Sequence, residues 1–191
     1  MRLIKVKATN LLLLIIFAFG CSQNKVQYIQ TKETREKLEL CNIIRSKVAA
    51  QIKKEKKLSP IGFGGQAMNE VVMLALSFIN YKPLDIKESR ELLIYCTDVF
   101  VDAVNKEERI HRYLKNYPFT PKNVEIAIFL RNSDGSTITS GLRIISADNG
   151  FLEYEVDNPD GPLPKTVLKE TYQEALQKIE SYEAEGKAQA A

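Results

Sequence analysis

The first regular pattern along the chain is an apolar run with no charge, Leu11 to Phe19, preceded by Arg2, Lys5 and Lys7. A membrane-spanning helix needs roughly 20 apolar residues, and this run is shorter. A charged start, a short apolar middle and small residues at the exit describe a secretory signal over residues 1–20. Residues 22–30 are polar and aperiodic and read as a tether.

From Thr31 the period becomes helical. Leu38, Cys41, Ile44, Val48 and Ile52 recur at steps of three and four, and Lys53 to Lys57 suits the negative end of a helix dipole. Ser59-Pro60 stops that helix. Gly62-Phe63-Gly64-Gly65 lacks the spacing of a phosphate-binding loop and reads as a flexible connection or the bulged start of a strand. Val71 to Ile79 is a nearly unbroken apolar run that predicts a buried strand. Asp85 and Glu88 predict a capping box for a helix reaching Asn105, with Leu92, Cys96, Val99 and Ala103 on one face and Leu93, Phe100 and Val104 widening it. A short helical turn is expected within Lys106 to Tyr117.

The second half alternates with period two. Val124, Ile126, Ile128 and Leu130 predict a strand. Thr137–Ala147 and Phe151–Val156 predict two more, separated by turn residues at 132–135 and 148–150. Lys165 to Glu170 adds a possible fourth. Thr171 and Glu174 open a last helix, and the residues after Glu185 are expected to fray. These elements predict an α+β fold: an antiparallel sheet of about four to five strands with helices packed on one face. The expected organisation is a signal (1–20), Cys21 and a tether (21–30), one domain (31–185) and a disordered tail (186–191).

Charge changes the picture once the signal is set apart. The whole chain has 27 basic and 24 acidic residues. Three of the 27 basic residues and none of the 24 acidic ones lie in residues 1–20, so from Cys21 onward the charges balance. No global field remains to attract nucleic acid, and none is expected as a partner.

Candidate chemistry is sparse. Cys41 and Cys96 each fall on the apolar side of a helix, where a free thiol is a common core residue. A disulfide between them is the alternative in an oxidising compartment. His111, the lone histidine, has Glu107 and Glu108 within helical reach, which is either a general-base arrangement or a charged surface turn. Asp157 to Gly161 gathers oxygen ligands without the spacing of a calcium-binding helix-loop-helix, and no metal or other cofactor is expected. Tyr113, Tyr117 and Phe119, set among Pro118 and Pro121, form either an aromatic binding surface or a plug at the end of the sheet.

Ala18-Phe19-Gly20-Cys21 resembles the lipobox of bacterial lipoproteins, although Phe19 is bulkier than usual at its position. The resemblance implies cleavage before Cys21 and a diacylglyceryl group on its sulfur. An ordinary secretory signal and an uncleaved anchor are the competing readings. Ser22 resembles the residue that sends lipoproteins to the outer membrane. The stretch Asn116 to Val124, with Gly62 to Gly65 and Ser89 to Leu93, resembles a group of uncharacterised predicted lipoproteins of intracellular bacteria, which brings no known activity. The sequence thus predicts a domain tethered to the cell envelope through Cys21, binding an envelope or host protein without catalysis. An envelope hydrolase with paired carboxylates is the alternative.

Overall fold

The computed structural model describes residues 31–189. The expected signal, Cys21 and the tether lie outside the described residues. The domain order is helix α1 (Lys32–Lys56), strands β1 (Ser59–Gln66) and β2 (Met73–Asn80), helix α2 (Ile86–Lys106), strands β3 (Val124–Leu130), β4 (Leu142–Asp148), β5 (Phe151–Val156) and β6 (Lys165–Thr171), and helix α3 (Tyr172–Gln189). Two 3-10 segments, Glu108–Tyr113 and Pro121–Asn123, lie between α2 and β3. Among the described residues, no helix is long and apolar enough to cross a membrane.

Local chemistry sets the boundaries. Thr34 donates its backbone N–H to the Thr31 hydroxyl at the start of α1, and Lys57 ends that helix in the left-handed region at φ 59°. At α2 the Glu88 N–H donates to Asp85 Oδ1 at 2.7 Å, while the Asp85 N–H donates to Glu88 Oε2 at 3.1 Å. Thr171 and Glu174 make the same reciprocal pair at α3. Asn149 and Gly150, both at positive φ, join β4 to β5 in a two-residue hairpin.

The fold class is α+β as expected, but the sheet has six strands in the order β1-β2-β3-β4-β5-β6. It is mixed: β2 and β3 run parallel, with Leu74 opposite Val124 and Phe78 opposite Ile128. A parallel pair requires a crossover, and α2 supplies it. Alternation then sorts the strands. Leu74, Leu76, Phe78, Val124, Ile126, Ile128, Ile145, Leu152 and Tyr154 are buried in one cluster with Leu40, Cys41, Ile44, Val48, Leu93, Cys96 and Phe100 of the helices. The opposite face of the sheet carries half-buried Ser77, Ala127, Phe129, Ile144 and Ser146.

Of the two readings of Gly62 to Gly65, the bulged strand holds: the stretch lies within an eight-residue strand, bulged between Pro60 and Gly62. Its glycines blur the signal, because strand propensity reflects side-chain packing that glycine cannot supply. Other expectations require correction. Strand β4 starts at Leu142; Gly141 bends the chain at φ 100°, and Ile138 plugs the core from the loop before it. Leu93, Cys96, Phe100 and Val104 are the fully buried row of α2, and Leu92, Val99 and Ala103 flank it. The backbone of α3 stays helical through Gln189, beyond the expected start of fraying. Lys187, Ala188 and Gln189 there are good helix formers, and their propensity outweighs the cost of Gly186.

Gly65 is the one glycine in β1 whose backbone excludes other residues. Its φ is +144°, and a Cβ added there would lie 2.5 Å from the Met73 carbonyl oxygen. The obstacle is backbone and cannot rotate away. Gly65→Ala is expected to destabilise the domain by at least about 2 kcal/mol, read as a lowered urea midpoint. An unchanged midpoint would contradict this geometry.

Candidate functional site

A buried cation with an unpartnered N–H lies where α1 passes over the outer edge of β1. The two elements run antiparallel, joined through Lys57 and Leu58. At the far end Lys37 Nζ donates to the carbonyl oxygens of Met68 and Asn69, the latter at 2.9 Å. Between them opens a cleft of about 490 Å³, lined by Asn42, Arg45, Ser46 and Ala49 of α1 and by Pro60, Ile61, Gly62 and Phe63 of β1, with Leu76 beneath. The helical residues recur at three and four, so one flank of α1 makes one wall.

Arg45 occupies the middle of this wall. It is 8% exposed, yet its guanidinium donates a single described hydrogen bond, from Nη1 to Asn42 Oδ1 at 3.2 Å. Its Nε is buried without any partner. No carboxylate pairs with it among the described residues. Burial pushes its pKa down, and only the Cys41 thiol opposes that. The guanidinium carbon stands 5.4 Å from the centre of the Phe63 ring, which is itself 70% exposed. A buried, unpaired donor costs about 1–3 kcal/mol, so folding alone does not favour arginine here. Arg45→Met keeps an unbranched apolar side chain in the wall and removes the stranded donors. The variant is expected to melt at or above the temperature of the parent chain. A clearly lower melting temperature would make Arg45 a structural residue.

The free edge of β1 adds a second feature. β1 and β6 are the outer strands of the sheet, and each presents backbone groups that no neighbouring strand satisfies. Natural edges are guarded by charge, and β6 carries Lys165 and Lys169. β1 carries no charge; only Pro60 interrupts it, and Ile61 and Phe63 are exposed along it. In sequence these signals were present but easily overlooked. An arginine stands within the apolar stripe of α1, and no charged residue occurs from Leu58 to Asn69.

The residues singled out in sequence are dispersed. Tyr113 and Phe119 are buried, and only Tyr117 of the three aromatics is exposed. Phe119 is fastened from its backbone: its N–H donates to Asn105 Oδ1 at 2.8 Å, and its carbonyl accepts from Asn105 Nδ2 at 3.0 Å. The segment is the plug, and the expected aromatic surface is corrected to one exposed ring. That ring lies 4.1 Å from the ring of His111, centre to centre. His111 Nε2 is 2.9 Å from the Asn105 carbonyl oxygen, and Glu107 is held by Arg109 instead of orienting the imidazole.

Cys41 and Cys96 are both free and buried, with no disulfide between them. Burial pushes the Cys96 thiol up to about 12 and raises that of Cys41 despite nearby Arg45 and Lys37. Neither is set up as a nucleophile. In the loop after β5, Asp157 pairs with Arg143, and Asn158 Oδ1 accepts from the Asp160 N–H. Among the described residues no group of three potential metal-ligating side chains comes together.

Carboxylates do gather on the open face of the sheet. Burial pushes the Glu125 and Glu155 carboxyls up, assisted by Asp148 and Glu153 respectively. Two further clefts lie elsewhere, one at Gly65 to Glu70 and one between Lys122, Phe151 and Tyr172. Neither these nor the α1/β1 cleft is lined by two carboxylates.

No family model, no curated protein and no solved structure matches the chain.

Proposed function

We propose that the chain is a lipid-anchored binding domain of a bacterial cell envelope, which docks a partner in the cleft between α1 and β1. The observation that carries this reading is Arg45: a buried cation with an unpartnered N–H, set in a cleft against an unguarded strand edge. Such a group weakens the fold and strengthens contact with whatever supplies an acceptor. The anchor rests on the lipobox-like residues before Cys21, and Ser22 favours the outer membrane.

Photo-crosslinking in intact cells tests the docking site. A photoreactive residue in place of Phe63 is expected to give one discrete adduct with a defined envelope or host protein. The same residue in place of Val167, exposed on the other edge strand, is expected to give none. Equal labelling from both edges, or none from position 63, would sink the reading.

A further inference from the structure

We infer that the cleft takes an extended peptide segment that lies along β1 as a seventh strand and places an internal aspartate or glutamate on Arg45. This rests on the reading of the cleft as a docking site and adds the chemistry of the occupant. An added strand satisfies the outward backbone groups of β1, and its alternate side chains reach the α1 wall. The cation met there lacks a carboxylate among the described residues, and the opposite charge completes it.

The position of Arg45 separates a side chain from a chain end. Lys37 lies by Met68 beyond one end of β1, Ala49 lines the cleft with Pro60 and Ile61 at the other, and Arg45 stands over Phe63 between them. A strand running past that point continues on both sides, so the acid is internal. Ala49, Pro60 and Ile61 make the neighbouring stretch apolar. Side chains on one face of a strand recur every second residue, which calls for an apolar residue two positions from the acid.

Neither the β1 edge of a second copy nor the stretch before α1 supplies the acid. Ser59 to Gln66, the segment a second copy would offer in edge-to-edge pairing, contains no aspartate or glutamate, and neither do residues 22–30. The lack of an acid in both segments favours a different polypeptide as the occupant.

The test uses the full chain in detergent micelles and two random twelve-residue peptide libraries displayed on phage, one with internal peptides and one with free C-termini. The internal library is expected to yield sequences sharing an acidic residue with an apolar residue two positions away. A capped synthetic peptide of that sequence is expected to bind about tenfold or more tightly than its amide counterpart, with glutamine or asparagine for the acid. That preference is expected to vanish in Arg45→Gln. The bound peptide is expected to slow backbone hydrogen exchange in residues 59–66 and not in residues 165–171. Enrichment without an acid, or only with free C-termini, would overturn the internal carboxylate while leaving the cleft as a binding site. No enrichment in either library, or protection at β6 instead, would overturn both. Self-association through β1 that excludes peptide would replace the occupant with a second copy.

Discussion

Glu170→Gln is expected to destabilise the domain by about 3–5 kcal/mol, a large share of the 5–15 kcal/mol that holds a typical domain together. Glu170 is 4% exposed and Arg90 3%. Arg90 Nε donates to Glu170 Oε1 at 2.7 Å and Nη2 donates to Oε2 at 3.2 Å, a two-pronged pair. Tyr154 Oη donates to Oε1 at 2.7 Å, and Lys178 Nζ to Oε2 at 2.6 Å. One carboxylate thus ties α2, β5, β6 and α3 together. Removing its charge leaves the Arg90 guanidinium buried and uncompensated, whereas Lys178, 46% exposed, can turn to water. The Arg90→Met, Glu170→Leu double variant removes both charges and is expected to recover most of the loss, since desolvating a pair offsets much of its attraction. A double variant as unstable as the single one would show that the geometry of the pair, beyond its charge balance, is required.

The same site sets the response to acid. Burial pushes the Glu170 carboxyl up, but hydrogen bonds from Arg90, Lys178 and Tyr154 outweigh it and leave its pKa below the ordinary glutamate value. Its stabilisation is therefore complete above the ordinary carboxylate range and is lost as pH falls through its own lower pKa. Glu125 and Glu155 act in the opposite sense. Their raised pKa values mean that protonation relieves a penalty present at neutral pH. Glu170→Gln is expected to flatten the acid limb of the stability profile, measured by urea titration from pH 7 to pH 3. An acid limb as steep as that of the parent would contradict the assignment.

Phe78→Ala is the second large loss, about 3–5 kcal/mol. Phe78 is fully buried on β2, opposite Ile128 of the parallel strand and Pro60 of β1. It therefore sits where the three strands and the helices above them meet, in a sheet whose backbone ladder resists collapse into the void. A drop in the urea midpoint with an unchanged slope is the expected signature. A loss below about 1 kcal/mol would mean that the site closes around the smaller side chain.

How much of this was legible in the sequence depends on which residues carried the signal. Capping boxes are local, and Asp85/Glu88 and Thr171/Glu174 were readable from spacing alone. Strands β3 and β5 alternate cleanly because one face is buried and the other half-open. Strand β1 was obscured because glycine packs no side chain, and the parallel β2/β3 pair because pairing across α2 leaves no local mark. The Arg90–Glu170 pair joins residues far apart along the chain, each of which reads by itself as an ordinary charged position. Arg45 was visible as a charge inside an apolar stripe, but its importance lies in the absence of a described carboxylate beside it, which only the packed structure reveals. The aromatic cluster left two readings open, because aromatics look alike in sequence whether they bind or seal; the burial of Tyr113 and Phe119 shows that they seal the core.

A lipid on Cys21 would keep the domain close to a membrane, since residues 22–30 span at most about 30 Å when extended. That would confine its partners to the envelope or to a surface pressed against it. The intact mass of the chain extracted from membranes tests this most directly. A mass beginning at Cys21 with a diacylglyceryl group and an added acyl chain is expected. An unmodified mass, or one that still includes residues 1–20, would contradict it.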